Sequence, residues 1–193
     1  MVQEQKVVSR AENKIAEAAK AFNFDFRGKT VLDVGSSTGG FTEYALKRGA
    51  KKVVAVEIGT NQMKAPLRFD PRIELHEKTD IFEFEFDGTD KLPDVVVADV
   101  SFVSLKKVLA RSKEMYAGAQ KVGFLVMLKP QFEARPDQLV KGVVKNEKMR
   151  RGIIKDFENW LKKNGFLVVK KRDNSLSGKH GNVERFYLLN LSI

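Results

Sequence analysis

The sequence predicts an α/β fold: a doubly wound, mostly parallel sheet with helices on both faces, ending in an antiparallel strand. Three observations predict it. Apolar runs of strand length (VLDV, VVAVE, VVVADV and GFLVML) alternate with segments of helical period. A run of small residues, GSSTGG at 35–40, follows the first of these, where a strand would turn into a helix beside a ligand. The last two strand-like runs, 166–172 and 185–193, are joined by a short polar stretch with no helix, so they pair antiparallel.

Residues 1–8 read as a loose tail and 9–193 as one domain. In SRAENKIAEAAKAF (9–22), Ile15, Ala18, Ala19 and Phe22 share one helical face, with Ser9 as N-cap and Glu12 three residues on. TVLDVG (30–35) is a strand and 40–48 a helix. KKVVAVEIG (51–59) is the second strand. A short helix over 61–69 contains Pro66, and RIELHE (72–77) is the third strand. PDVVVADVS (93–101) is a buried strand, 104–117 a helix and KVGFLVMLK (121–129) another buried strand. Over 146–164, Met149, Ile153, Phe157, Trp160 and Leu161 form one stripe, which Gly165 ends. FLVVKKR and RFYLLNLSI are the last two strands.

Composition excludes several chemistries. The 193 residues contain no cysteine, so disulfides, thiolate metal sites and cysteine nucleophiles are absent. Two histidines, His76 and His180, do not make a zinc site, and no metal is expected. The start lacks an apolar signal core, and the longest apolar run, VGFLVML, is far below the ~20 residues of a membrane span. A cytoplasmic protein without membrane contact is expected. The net charge of +10 is uneven. Residues 1–110 hold 17 Lys+Arg against 17 Asp+Glu, whereas 111–185 hold 18 against 8. Such asymmetry points to a polyanionic partner.

The glycine loop is the first candidate site. Gly35, Gly39 and Gly40 let the backbone approach a ligand, and Asp33, Ser36, Ser37, Thr38 and Phe41 flank them. Ser37 stands where a dinucleotide fingerprint needs glycine, and no Walker lysine follows, which disfavours pyrophosphate. Glu57 ends the second strand, where a carboxylate can accept both hydroxyls of a ribose. Asp80 follows the third, where an acid could read an adenine amine or another polar edge of a ligand. Together they suit adenosine carrying a compact, non-phosphate group, such as S-adenosylmethionine.

A second constellation ends the other strands: Asp99 in VVVADVSFVSL, Lys129 in VMLKPQFE and Glu184 in GNVERFYLL, with Lys14 on the first helix. At this point the chain resembles the hemolysin-A (TlyA-like) branch of the FtsJ-like ribose methyltransferases. SRAENK, DVGSSTGGFT, VAVEIG, DVSFVSL, KPQFEA, GVV at 142–144 and GKHGNVERF carry the resemblance over nearly the whole chain. It implies a Rossmann-like class I methyltransferase fold, S-adenosylmethionine as cofactor and 2′-O-methylation of RNA ribose, with ribosomal RNA or a ribosomal subunit as the expected partner. It also implies a catalytic tetrad of Lys14, Asp99, Lys129 and Glu184. Asp99 would in addition border the cofactor. A ribose hydroxyl is a weak nucleophile, so catalysis calls for in-line placement and a charge that favours a developing alkoxide. An ammonium beside a carboxylate stays charged, so Lys129 is read as a cationic stabiliser that Asp99 orients.

Members of this branch usually carry an S4-like RNA-binding domain before the methyltransferase, and only eight residues precede SRAENK here. Either a partner or the basic half supplies RNA affinity, or the chain is an excised domain; Arg10, Lys145, Arg150, Arg151 and Lys179 are the candidate contacts. Two other functions fit the same fold: methylation of a non-RNA acceptor, and a non-catalytic RNA-binding or assembly factor.

Overall fold

A computed structural model describes residues 9–88, 91–116, 122–175 and 181–191. The expected tail at 1–8 lies outside the described residues. Helix α1 (Arg10–Phe22) opens on Ser9, whose hydroxyl accepts the Glu12 amide at 3.0 Å, and ends at Asn23 in the left-handed region. Then come β1 (Thr30–Val34), α2 (Gly40–Lys47), β2 (Lys52–Glu57), β3 (Ile73–Glu77), β4 (Val95–Ala98), α3 (Leu105–Met115) and β5 (Gly123–Leu128). The chain continues through β6 (Leu139–Val140), β7 (Val143–Val144), α4 (Glu147–Lys163), β8 (Phe166–Asp173) and β9 (Arg185–Leu191).

Two local expectations change. The segment 61–69 forms only a single 3-10 turn, at Leu67–Phe69, because Pro66 has no amide hydrogen to continue a helix. The sequence reading also left out the hairpin β6–β7, which turns on Lys141 and Gly142, both at positive φ.

The seven-stranded sheet runs β3-β2-β1-β4-β5-β9-β8. Strands β1 to β5 are parallel, and β9 lies between β5 and β8, antiparallel to both. Strand order reverses between β1 and β4, which opens a crevice beyond their carboxyl ends.

Side chains alternate between the two faces. Leu32, Val34, Val96, Phe124 and Val126 pack with α3 and α4, through Leu105, Leu109, Ile154, Phe157 and Leu161. Val31, Val53, Val97, Leu125 and Met127 pack with α1 and α2, through Ile15, Ala19, Phe41 and Ala45. Each of these Val, Leu, Ile, Phe and Met side chains contributes about 1.5–3 kcal/mol relative to exposure. These two cores hold the strand ends, and hence the site, in place.

Candidate active site

The loop between β1 and α2 carries three residues at positive φ: Gly35 at 76°, Ser37 at 47° and Gly39 at 89°. The amides of Gly35 and Ser36 both donate to the Val56 carbonyl, at 2.9 and 3.3 Å, which folds the loop back over β2. A Cβ at Gly35 would lie 3.2 Å from Val100 Cγ1 and 3.3 Å from the Asp99 carbonyl, so the loop rests against the end of β4. At Gly40 a Cβ would meet Ser9 Oγ at 2.6 Å and Ala11 Cβ at 2.7 Å. The start of α1 therefore presses on the start of α2, and that docking fixes the helix that carries Lys14.

Asp33 sits beneath this loop, fully buried. Its Oδ2 accepts the Thr42 hydroxyl at 2.6 Å, and its Oδ1 has no partner among the described residues. Burial pushes its carboxyl up to about 7, the Thr42 bond opposes this, and the charge of Asp99 adds to it. The buried Ser36 hydroxyl likewise lacks a partner among the described residues.

Glu57, at the end of β2, is buried. Its Oε2 accepts the Ser37 amide at 2.8 Å, and its Oε1 accepts the Gly59 amide at 2.7 Å and Gln62 Nε2 at 3.2 Å. The Ser37 hydroxyl donates to Gln62 Oε1 at 2.8 Å. Asp80 closes a tight turn by accepting the Phe82 amide at 3.0 Å. A cleft of about 560 Å³ joins these groups; Gly35, Ser37, Glu57, Asp80, Asp99 and Phe102 are among its walls. Its rim is apolar and open, with Ile58 70% and Phe102 93% exposed.

Not every loop residue faces this cleft. Thr38 lines a separate groove beside Lys64 and Phe69. Gly39 and Gly40 are buried at the α2 N-terminus. The Phe41 ring lies in the core, stacked on Phe186 with centroids 6.1 Å apart.

The four expected tetrad residues form two ion pairs. Lys129 Nζ lies 2.6 Å from Asp99 Oδ1 and donates to Ser101 Oγ at 2.8 Å. Lys14 Nζ lies 2.5 Å from Glu184 Oε2, which also accepts Asn174 Nδ2 at 3.3 Å. The pairs differ in access. Lys14 and Glu184 side chains are 9% and 4% exposed, and Asp99 is 19% exposed in the cleft wall. Sequence reasoning did not single out Ser101, although it lies inside the DVSFVSL motif. Nor did it find Gln62, Asn174 or Glu133. Glu133 braces the loop that carries Ser101, by accepting the Ser104 hydroxyl and the Leu105 amide.

The basic candidates separate. Arg10, Lys145 and Arg151 are exposed. Arg150 is not a surface contact. It is buried, 2.6 Å from Asp173 and 3.3 Å from Glu147, and it donates to the Val183 carbonyl at 3.2 Å. Its place on α4, three residues before Ile153, turns it toward β9, where it secures the entry to Glu184. Lys179 lies outside the described residues, as does His180. Among the described residues no group of side chains could hold a metal ion, and no helix is long and apolar enough to cross a membrane.

Comparison with known proteins identifies the family. Residues 7–191 match the model of the FtsJ-like methyltransferases. Hemolysin A of Brachyspira hyodysenteriae is 36% identical over 189 residues, which is 95% of this chain and 77% of that protein. The 23S rRNA (cytidine-2′-O)-methyltransferase TlyA of Campylobacter jejuni is 36% identical over 182 residues, 93% of this chain and 69% of that protein. The structure of a protein described as a putative hemolysin from Streptococcus thermophilus superimposes with a TM-score of 0.89 at 31% identity, covering 100% of this chain and 70% of that one. The two lysine–carboxylate pairs and the glycine-loop cleft thus lie within a matched region of nearly full length, and the chain belongs to the FtsJ-like methyltransferase family, in its hemolysin A/TlyA branch.

Proposed function

We propose that the protein methylates the 2′-oxygen of a ribose in ribosomal RNA, with S-adenosylmethionine as methyl donor. The cleft fits that donor. Gly35 leaves room where a Cβ would touch β4, and Glu57 has its carboxylate fixed by two backbone amides at the position that reads ribose hydroxyls. Asp33 Oδ1 and Ser36 Oγ are buried polar atoms without partners among the described residues, beneath the loop that would hold the amino-acid end. Asp80 stands where an adenine amine would be read, and Ile58 flanks it with apolar surface. When bound, the donor supplies a methyl group on a sulfonium, already activated toward a nucleophile.

The remaining task falls to the protein's own side chains. Lys129 carries three N–H donors. Ser101 accepts one of them and Asp99 lies against the ammonium as its counter-ion, which leaves donor capacity for an oxygen entering the cleft. Held in this way, the ammonium stabilises negative charge as it develops on the ribose oxygen, and the hydroxyl proton is lost late, to water. Lys14 and Glu184 form a desolvated strut from α1 to β9 that sets one wall of the acceptor site. Phe102, exposed in the left-handed region and 5.2 Å from the Phe132 ring, offers an aromatic face on which a base can stack. Lys145 and Arg151 would meet phosphates, as would Arg10 on the α1 side.

The observation that carries this reading is the pairing of Lys129 with Asp99, which stands in the wall of the cleft that contains Glu57. It is tested by incubating the protein with methyl-labelled S-adenosylmethionine and either ribosomal subunits or their stripped RNA, followed by digestion to nucleosides. The expected product is a labelled 2′-O-methyl nucleoside that is lost with Lys129→Ala. Label on a base, or on protein, would refute the reading.

A further inference from the structure

The hairpin β6–β7 belongs to neither core. Its strands are two residues each, and Val140 near its tip is 53% exposed. Yet it is fixed firmly from one side. Asn182, buried in the wall, accepts the Val144 amide at Oδ1, at 3.2 Å, and donates from Nδ2 to the Gly142 carbonyl, at 3.0 Å. The whole carboxamide of this residue serves the hairpin, and Asn182 stands two residues before Glu184. On the other side β7 packs against the 3-10 turn Pro130–Phe132, which directly follows Lys129. The hairpin is thus braced between the segments that carry the two ion pairs.

Its outward chemistry is cationic. Lys141 at the tip, and Lys145 and Lys148 just beyond, are exposed and have no ion pair among the described residues. The nearby acids are already matched: Asp137 pairs with Arg135, with a longer-range attraction to Lys145, and Glu147 pairs with Arg150 and Arg151. Unmatched cations on a rigid finger next to an acceptor site call for a phosphodiester backbone.

We propose that β6–β7 is a guide for the RNA strand, with Lys141 contacting a phosphate near the acceptor ribose and Asn182 acting as the positioning residue that ties this guide to Glu184. The proposal rests on the RNA reading above.

The test compares the full-length wild type with Lys141→Glu, Asn182→Ala and Lys51→Glu, the last reversing an exposed charge before β2, at the opposite ends of the strands. Lys141→Glu should raise the KM for stripped ribosomal RNA by roughly five- to tenfold and flatten the log–log salt slope by about 0.7–0.9. S-adenosylhomocysteine affinity and kcat should not change, and Lys51→Glu should behave as wild type. Asn182→Ala should raise KM for RNA and lower kcat as well, since both guide and Glu184 lose their tie. If Lys141→Glu matches an active wild type in KM and slope, the guide is refuted while the RNA reading stands. A wild type that methylates no RNA overturns both. A defect seen with intact subunits but not with stripped RNA would assign the hairpin to ribosomal protein and overturn the RNA contact.

Discussion

Glu133 accepts the Ser104 hydroxyl at 2.7 Å with one carboxylate oxygen and the Leu105 amide at 2.6 Å with the other. The residue is four positions beyond Lys129, and it caps the helix that starts just after Asp99, Ser101 and Phe102. One carboxylate therefore joins the two loops from which Lys129 and Asp99 arise. Replacing it with alanine removes a helix cap, at about 1–2 kcal/mol, and loosens the loop that aims Lys129. Glu133→Ala should lower both the melting temperature and kcat, with S-adenosylhomocysteine affinity little changed. A drop in melting temperature with kcat intact would limit Glu133 to stability.

The two lysines of the site should fail differently. Lys129→Ala should lower turnover by about 10²–10³ with the fold and cofactor affinity intact. Lys14→Ala leaves Glu184 buried without its cation, and breaking such a pair costs about 3–5 kcal/mol. Thermal denaturation should show a large loss for Lys14→Ala, partly recovered in Lys14→Ala/Glu184→Ala, and almost none for Lys129→Ala.

Asp33 links the site to pH. Burial raises its carboxyl from 3.8 in the unfolded chain to about 7 in the folded one, so between those values the folded state binds the proton more tightly. Stability from this group is therefore present at low pH and is lost as pH rises through that window. Asp33→Asn keeps an acceptor for Thr42 and removes the titration. Its denaturant midpoint should vary less than the wild type's between pH 4 and 7. If Asp33 also greets the donor's ammonium, S-adenosylhomocysteine binding near pH 6.5 should release a proton, a release that calorimetry in two buffers detects and that Asp33→Asn abolishes.

The contact between α1 and α2 at Gly40 leaves no room for a methyl group, since its Cβ would lie 2.6 Å from Ser9 Oγ. Gly40→Ala should cost about 1–3 kcal/mol through overpacking. It should also depress kcat, because Lys14 rides on the helix that is displaced. A variant with full turnover would show that α1 shifts without moving Lys14.

Much of this was legible in the chain. Buried strands announced themselves as apolar runs, and Glu57, Asp80, Asp99 and Lys129 each stand at a strand end because parallel strands deliver their carboxyl ends to one side of the sheet. What stayed hidden has physical reasons. Two-residue strands such as Leu139–Val140 have no periodicity to read. Arg150 belongs to a run of surface cations in sequence, and only the position of α4 against β9 turns it inward toward Asp173. The pairing of Glu184 with Lys14 rather than with Lys129 depends on where α1 docks, which no local pattern encodes.

Strand β9 is the last to join the sheet in chain order, yet it lies between β5 and β8 rather than at an edge. Contacts between elements so distant along the chain form late and slowly, since the loop they close is long. The glycine loop, Glu57 and the Lys129–Asp99 pair lie on β1 to β5, yet Phe41 beside that loop stacks on Phe186 of β9, and Lys14 of α1 pairs with Glu184 at the entry to the same strand. Through these two contacts the final strand ties the first helix and the glycine loop to the middle of the sheet.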